Sequence, residues 1–169
     1  MNAFLRAIVR LGLNRYHVPV LGVRSGYRGL VRAAKLANAS SGGLENLQQE
    51  IRQNQGMAGY IRTEQYLIQM DHRTVSGIMG KGGTMLGSAR CLEFHQPEVR
   101  AEVIQLLKNL GVRALVVVGG DGSLSGALRL AEESDLRVIG IPATIDNALQ
   151  FTDMTLGVDT SVRPLVGAE

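Results

Sequence analysis

Apolar residues recur along this chain with two different periods. Residues 3–13 carry Phe4, Leu5, Ile8, Val9 and Leu11 as an apolar face, with Arg6 and Arg10 together on another. That spacing predicts an amphipathic helix. Val18–Val23 is a short apolar run with Pro19 near its start and predicts a strand. Gly26-Tyr27-Arg28-Gly29 predicts a turn, and Asn38-Ala39-Ser40-Ser41-Gly42-Gly43 a loop. Leu44–Gln55 is polar and Gln-rich, the pattern of a solvated helix, and Thr74–Met79 reads as the start of another.

The second half is more regular. Pro97 stands at a first-turn position with Glu98 beside it. Val99, Val103, Leu106, Leu107 and Leu110 follow at helical spacing, and Gly111 closes the pattern as a C-terminal cap. Ala114–Val118 is an unbroken aliphatic run, as expected of a strand buried on both faces. It leads into Gly119-Gly120-Asp121-Gly122-Ser123, a helix over Leu124–Glu133 and a strand over Arg137–Ile141. Pro142 stops that strand and opens a polar loop to Asp153. Strand, helix and strand in this order predict an α/β fold with a parallel sheet. Ligands of such sheets sit at the carboxyl ends of the strands, where both polar loops fall. No internal repeat is visible.

Composition narrows the class. With 169 residues the chain is long enough for one globular domain. Glycine, at 21 residues, exceeds the usual ~7% while proline is only 4, so the excess belongs in tight turns. The single cysteine, Cys91, excludes a disulfide framework and a Cys-rich zinc site. His17, His72 and His95 are scattered and make no metal cluster. No apolar run reaches the ~20 residues of a membrane span. Arg6 and Arg10 interrupt the early apolar stretch, so nothing resembles a secretory signal, and a cytoplasmic location is expected.

Charge is unevenly placed. No acidic residue precedes Glu45, whereas Arg6, Arg10, Arg15, Arg24, Arg28, Arg32 and Lys35 all do. Such a patch suits an anionic partner. A nucleic-acid surface would want an aromatic platform or a reader motif, and neither is present. A transit peptide would be Arg-rich and acid-poor, but this stretch continues into strand-like and turn-like sequence. Phosphate-bearing small molecules are the reading that the rest of the chain favours.

Three motifs carry chemistry. In Gly119–Ser123, glycines let backbone N–H groups approach phosphate oxygens at a helix N-terminus. A carboxylate there would repel a bare phosphate, so Asp121 suits a Mg²⁺ held against the phosphates. A plain strand-to-helix turn with Asp121 or Ser123 as N-cap is the competing reading. Pro142-Ala143-Thr144-Ile145-Asp146-Asn147 follows one α-β step later. Adjacent parallel strands lie ~4.8 Å apart. One carboxylate could then hold metal while the other accepts a proton from an attacking hydroxyl. An Asx-type loop is the alternative there. Lys81–Arg90 holds three glycines and two hydroxyls and ends in Arg90, a fork for phosphate oxygens or a merely exposed cation.

In this order the motifs resemble the phosphofructokinase family. Gly-Gly-Thr-x-Leu-Gly-Ser-Ala-Arg (82–90), Gly-Gly-Asp-Gly-Ser (119–123), Pro-x-Thr-Ile-Asp-Asn (142–147) and Thr-Asp-x-Thr-x-Gly-x-Asp-Thr (152–160) form that family's signature series. Met1-Asn2-Ala3 with Arg6 and Arg10 resembles its first helix. The resemblance implies the nucleotide-binding half of a Rossmann-like, three-layer, parallel-sheet fold. It implies Mg²⁺-dependent phosphoryl transfer from ATP to the 1-hydroxyl of fructose 6-phosphate. Asp146 matches the catalytic base and Asp121 the magnesium aspartate. Arg90, Cys91, Gly120, Asp121, Gly122 and Ser123 match nucleotide positions. Thr144, Ile145 and Asp146 match the sugar-phosphate site, and Arg6 and Arg10 match arginines that bind a nucleotide effector. Gly122 and Ala143 stand where pyrophosphate-dependent relatives carry Asp and Lys, so ATP is the expected donor.

The family pattern is not followed throughout. Ala148 stands where a second Asp is usual and Phe151 where a Gly is usual. Residues 37–60 read as an insertion within a domain spanning 1–162, and 163–169 as a divergent tail. The strand and Gly-Gly-Asp loop that normally precede the first helix, and the second lobe with its sugar-phosphate arginines, are outside this sequence. The expectation is therefore a fragment, inactive or weak by itself, of an enzyme that forms homo-oligomers and binds neither nucleic acid nor membrane. A non-catalytic nucleotide-binding module stays open beside it, as do NAD kinases and lipid kinases, which share the Gly-Gly-Asp-Gly-Ser/Thr loop but lack the flanking motifs.

Overall fold

The computed structural model describes residues 1–53, 65–144 and 153–158. The chain forms two compact units, Met1–Leu110 and Gly111–Glu169.

The first unit begins with helix α1 (Asn2–Asn14). Leu5, Val9 and Leu13 recur every fourth position, and Val9 is buried in a cluster with Ile68, Met70, Val75 and Ile78. Leu11, expected on this face, is exposed, because it lies about 200° around the helix from Val9. Gly12 lets α1 approach β1 (Val20–Val23), since a Cβ there would meet Val20 Cγ2 at 2.8 Å.

The turn expected at Gly26–Gly29 is instead the first turn of α2 (Gly26–Asn38). The chain reverses just before it, with Ser25 and Gly26 both left-handed at φ 58 and 55. Gly29 is required by packing: a Cβ there would lie 1.8 Å from the Arg24 carbonyl oxygen. α3 (Gly43–Gln53) is not fully solvated, because Leu47 and Ile51, one turn apart, are buried. The helix start expected at Thr74 does not propagate. Asp71 Oδ1 accepts from the Thr74 amide and hydroxyl, both at 2.6 Å, as an N-cap would. Gly77 then turns left-handed at φ 69 and ends the segment. A short 3-10 helix (Leu92–His95) precedes α4 (Pro97–Asn109), which Gly111 follows at φ 72.

β1 pairs with β2 (Leu67–Met70), and the pairing is antiparallel, Val20 opposite Met70 and Val23 opposite Leu67. This corrects the expectation of one Rossmann-like parallel sheet in three layers. One crossover helix returns the chain for a parallel partner. Here the described part of the connection holds α2 and α3, and the chain enters β2 at the end where β1 finished.

The second unit has the expected strand-helix-strand order. β3 (Ala114–Gly119) and β4 (Arg137–Pro142) pair in parallel, with Gly119 opposite Pro142. α5 (Asp121–Glu133) begins three residues before the expected start, at the motif itself. It packs on one face, where a Cβ on Gly140 would meet Leu124 Cδ2 at 2.9 Å. On the other face Val116 and Ile139 are 37% and 54% exposed. β3 is therefore not buried on both faces as expected, because α5 is the one helix longer than a turn among this unit's described residues. The fold is mixed α/β with two small sheets, each of two strands among the described residues.

Candidate functional site

In the second unit, the β3–α5 junction places Gly119–Ser123. Gly120 is the N-cap of α5, a residue with no side chain to cap the helix. The amides of Ser123 and Leu124 both donate to the Gly120 carbonyl at 3.0 Å. Ser123 packs on Gly119 so closely that a Cβ at 119 would lie 2.6 Å from Ser123 Oγ and 2.7 Å from its Cβ. Gly119 is thus demanded by the turn. Gly122 is different: its φ is not left-handed, and among the described residues nothing lies within 4 Å of an added Cβ. A glycine in a helix costs about 1 kcal/mol relative to alanine, so neither backbone nor packing accounts for it. Asp121 is exposed beside it, in the first turn of α5.

The loop after β4 lies against this junction. The Ala143 amide donates to the Gly119 carbonyl at 2.9 Å, and a Cβ on Gly120 would meet Thr144 Cβ at 3.8 Å. Thr155 Oγ1 donates to the Thr144 carbonyl at 2.6 Å, and the Leu156 amide to the Pro142 carbonyl at 3.1 Å. Thr155 belongs to the 152–160 motif, so three of the four motifs meet at the carboxyl ends of β3 and β4. Ile145 and Asp146 lie outside the described residues.

Among the described residues no three His, Cys, Asp or Glu side chains gather as a metal cage. A single exposed carboxylate in the first turn of a helix fits Mg²⁺ nonetheless, because that ion is usually held by one or two carboxylates together with substrate phosphates. The open position at Gly122 is the cradle that a Cβ would begin to fill.

In the first unit, Lys81–Arg90 forms an exposed loop with Gly83 and Gly87 left-handed at φ 67 and 68. It is tied by the Ser25 amide to the Leu86 carbonyl at 2.8 Å. Arg90 is exposed and Cys91 half-buried. The segment that follows is held from three sides. Arg100, buried, donates to the carbonyls of Phe94 and His95 at 3.0 and 2.8 Å. Tyr27 stacks on Phe94 with ring centroids 4.0 Å apart, and burial pushes the Tyr27 phenol well above its ordinary range. Glu93 pairs with Lys35, whose ammonium, with Arg32 and Arg28, holds that carboxyl below the usual range. Tyr27 and Arg100 carry no sequence signal for these contacts, because neither helical period nor motif spacing records them. Arg6 donates to Met79 Sδ at 2.9 Å, and Arg10 is exposed. Arg90 and Cys91 belong to one unit and Asp121 and Thr144 to the other.

No helix among the described residues is long and apolar enough to cross a membrane. Residues 1–168 match the Phosphofructokinase family. The chain is 40% identical over 168 residues to ATP-dependent 6-phosphofructokinase 1 of Clostridium perfringens, covering 99% of this chain and 42% of that protein. It is 38% identical to ATP-dependent 6-phosphofructokinase of Thermotoga petrophila, with the same coverage. It therefore spans less than half the length of these relatives. The solved T-state phosphofructokinase of Pichia pastoris superposes with a TM-score of 0.72 and 28% identity, over 100% of this chain and 18% of that one. Phosphofructokinase from Saccharomyces cerevisiae gives 0.71 and 29%, over 98% and 21%. Signature motifs, their meeting at the strand ends, the family match and the superposition agree: the chain belongs to the phosphofructokinase family.

Proposed function

We propose that this chain is the Mg²⁺-nucleotide-handling part of a 6-phosphofructokinase, an enzyme that transfers a phosphoryl group from ATP to the 1-hydroxyl of fructose 6-phosphate. The observation that carries the proposal is the α5 N-terminus, which begins at a glycine, with Asp121 exposed, open space at Gly122 among the described residues, and Thr144 against Gly120. Backbone amides of the first turn and the helix dipole attract phosphate oxygens. Asp121 would hold Mg²⁺ against them, and that ion, when bound, neutralises charge on the transferring phosphate. Thr155 fixes the Thr144 carbonyl, the last described position before Asp146 in sequence. By resemblance Asp146 accepts the proton of the sugar hydroxyl, and Thr144 and Ile145 line the sugar-phosphate site. Arg90 and Cys91 are carried to the nucleotide in the same way, and Arg6 and Arg10 to an anionic effector. The small residues at Gly122 and Ala143 favour ATP over pyrophosphate. Assembly into a homo-oligomer and a cytoplasmic location belong to the same proposal.

A second reading is a nucleotide-binding module without turnover. It needs only the Gly120–Ser123 turn and Asp121, which are among the described residues, and makes no use of Asp146, which is not. The full chain is tested by calorimetry with Mg-ATP, then by ADP release with fructose 6-phosphate. Binding that weakens about tenfold in Asp121→Asn supports the site. Binding without ADP release selects the module. Turnover abolished in Asp146→Asn selects the kinase, and turnover surviving it removes the role given to Asp146. Absence of Mg-ATP binding overturns both readings.

A further inference from the structure

Asn2 is the first residue of α1 and is only 2% exposed, yet it caps nothing on its own helix. Its side chain reaches some eighty residues along the sequence. Nδ2 donates to the Lys81 carbonyl at 2.9 Å and lies 3.5 Å from the Gly82 carbonyl, and Oδ1 accepts from the Met85 amide at 2.8 Å. The amide therefore spans the neck of the loop, one arm on each side of Gly82-Gly83-Thr84. That loop needs an external brace. Gly80, Gly82 and Gly83 have nothing within 4 Å of an added Cβ, and glycine carries the largest backbone entropy to be lost on ordering. Beyond the neck, Met85 and Leu86 pack against the core cluster, and the chain runs on to Arg90. A carboxamide is the one short side chain that offers a donor and an acceptor in this geometry.

We propose that Asn2 is a positioning residue: it clamps the neck of the Lys81–Arg90 loop and so fixes the segment that leads to Arg90 and Cys91. The clamp stands on geometry alone; its consequence for ligand binding rests on the nucleotide reading above. Asn2→Leu removes both arms. Asn2→Asp keeps the acceptor for Met85 but, while ionised, sets a negative oxygen against the Lys81 carbonyl, and it regains a donor when protonated.

The test follows backbone amides of the loop by NMR in the full chain, together with Mg-ATP affinity. In Asn2→Leu the Met85 amide should exchange about tenfold faster, the upper end of what one hydrogen bond is worth, and Mg-ATP should bind about tenfold more weakly. In Asn2→Asp the Gly82 and Gly83 amide shifts should return toward their original positions as pH falls from about 7.5 to about 4, through the ordinary carboxyl range. That reversal ties the change to the Asn2 contacts rather than to a general loosening of the fold, and Mg-ATP affinity of Asn2→Asp that recovers over the same pH range serves as the positioning readout where Asn2→Leu fails to fold. Unchanged Met85 exchange in folded Asn2→Leu, or Asn2→Asp shifts indifferent to pH, overturns the clamp. Loop protection lost with affinity intact overturns the positioning role. Failure of the unaltered chain to bind Mg-ATP overturns the nucleotide reading and leaves the clamp standing.

Discussion

Gly119→Ala and Gly122→Ala place the same methyl group three residues apart on either side of Asp121, and they should behave in opposite ways. At 119 the new Cβ lies 2.6 Å from Ser123 Oγ and 2.7 Å from Ser123 Cβ. That is about 0.7 Å inside ordinary contact, on the steep repulsive wall. Gly119 is at the end of β3 and its φ is not left-handed, so the whole cost is steric. Overpacking of this kind costs about 1–3 kcal/mol and pushes the first turn of α5 away from the strand end. Thermal unfolding and Mg-ATP calorimetry read the two consequences. A double-mutant cycle isolates the cause. Ser123→Gly in the Gly119→Ala background removes both offending atoms and should recover most of the lost stability. Ser123→Ala removes only Oγ, leaves the Cβ at 2.7 Å, and should recover little. Gly122→Ala, by contrast, enters open space in a helix and should stabilise by up to about 1 kcal/mol while weakening Mg-ATP binding. A Gly119→Ala chain as stable as the original, or equal rescue by Ser123→Gly and Ser123→Ala, would refute the steric account. Gly122→Ala with unimpaired binding would refute the view that its space is kept for the nucleotide.

Other outcomes follow from the first unit. Gly29→Ala sets a methyl 1.8 Å from the Arg24 carbonyl oxygen, so β1 and α2 must separate; a loss of about 3 kcal/mol is expected, a Tm drop of roughly 6–12 °C. Arg100→Met leaves the Phe94 and His95 carbonyls without their donor and should cost about 2 kcal/mol in chemical denaturation, with loosened Tyr27–Phe94 stacking visible in tyrosine fluorescence. Burial works to raise the Asp71 carboxyl, but hydrogen bonds from Thr74 and the charge of Arg73 outweigh it and hold the carboxyl below its usual value. Its stabilising contribution is therefore present above the unfolded value near ~3.9 and lost as pH falls through the folded one. Thr74→Val should move the carboxyl back up in an NMR titration and bring acid unfolding to higher pH; an unmoved titration would contradict the assignment.

What could be read from the sequence, and what could not, divides along a physical line. Helices whose apolar stripes face a core, α1 and α4, announce themselves because burial imposes a period. The β3–α5–β4 order is legible because a strand, a glycine-rich turn and a helix have different compositional demands. The antiparallel β1–β2 pair is not legible, because two short apolar runs state no direction, and α3 in the connection is a polar helix whose two buried apolar side chains, Leu47 and Ile51, are too few to set a stripe. Nor is the reversal at Ser25, where a residue that is not glycine adopts φ 58. Asn2 is invisible for a related reason: its partners lie far away in sequence, and no local pattern encodes them.

The glycines sharpen this distinction into an argument about function. Gly29 and Gly119 are explained inside the molecule, since a neighbour already occupies the place of a side chain. Gly83 and Gly87 are explained by their left-handed backbone. Among the described residues Gly82 and Gly122 have neither reason, yet each sits in a signature motif, one in the loop that leads to Arg90 and one beside Asp121. A residue type that costs backbone entropy and that no internal contact requires is accounted for by something that approaches from outside. On the proposed reading that visitor is an anion, drawn at Gly122 by the α5 N-terminus and, separately in the first unit, at Gly82 by the cations at Lys81 and Arg90. Within the second unit, the proposed phosphate-bearing ligand with its metal would use both the open position at Gly122 and the exposed carboxylate of Asp121.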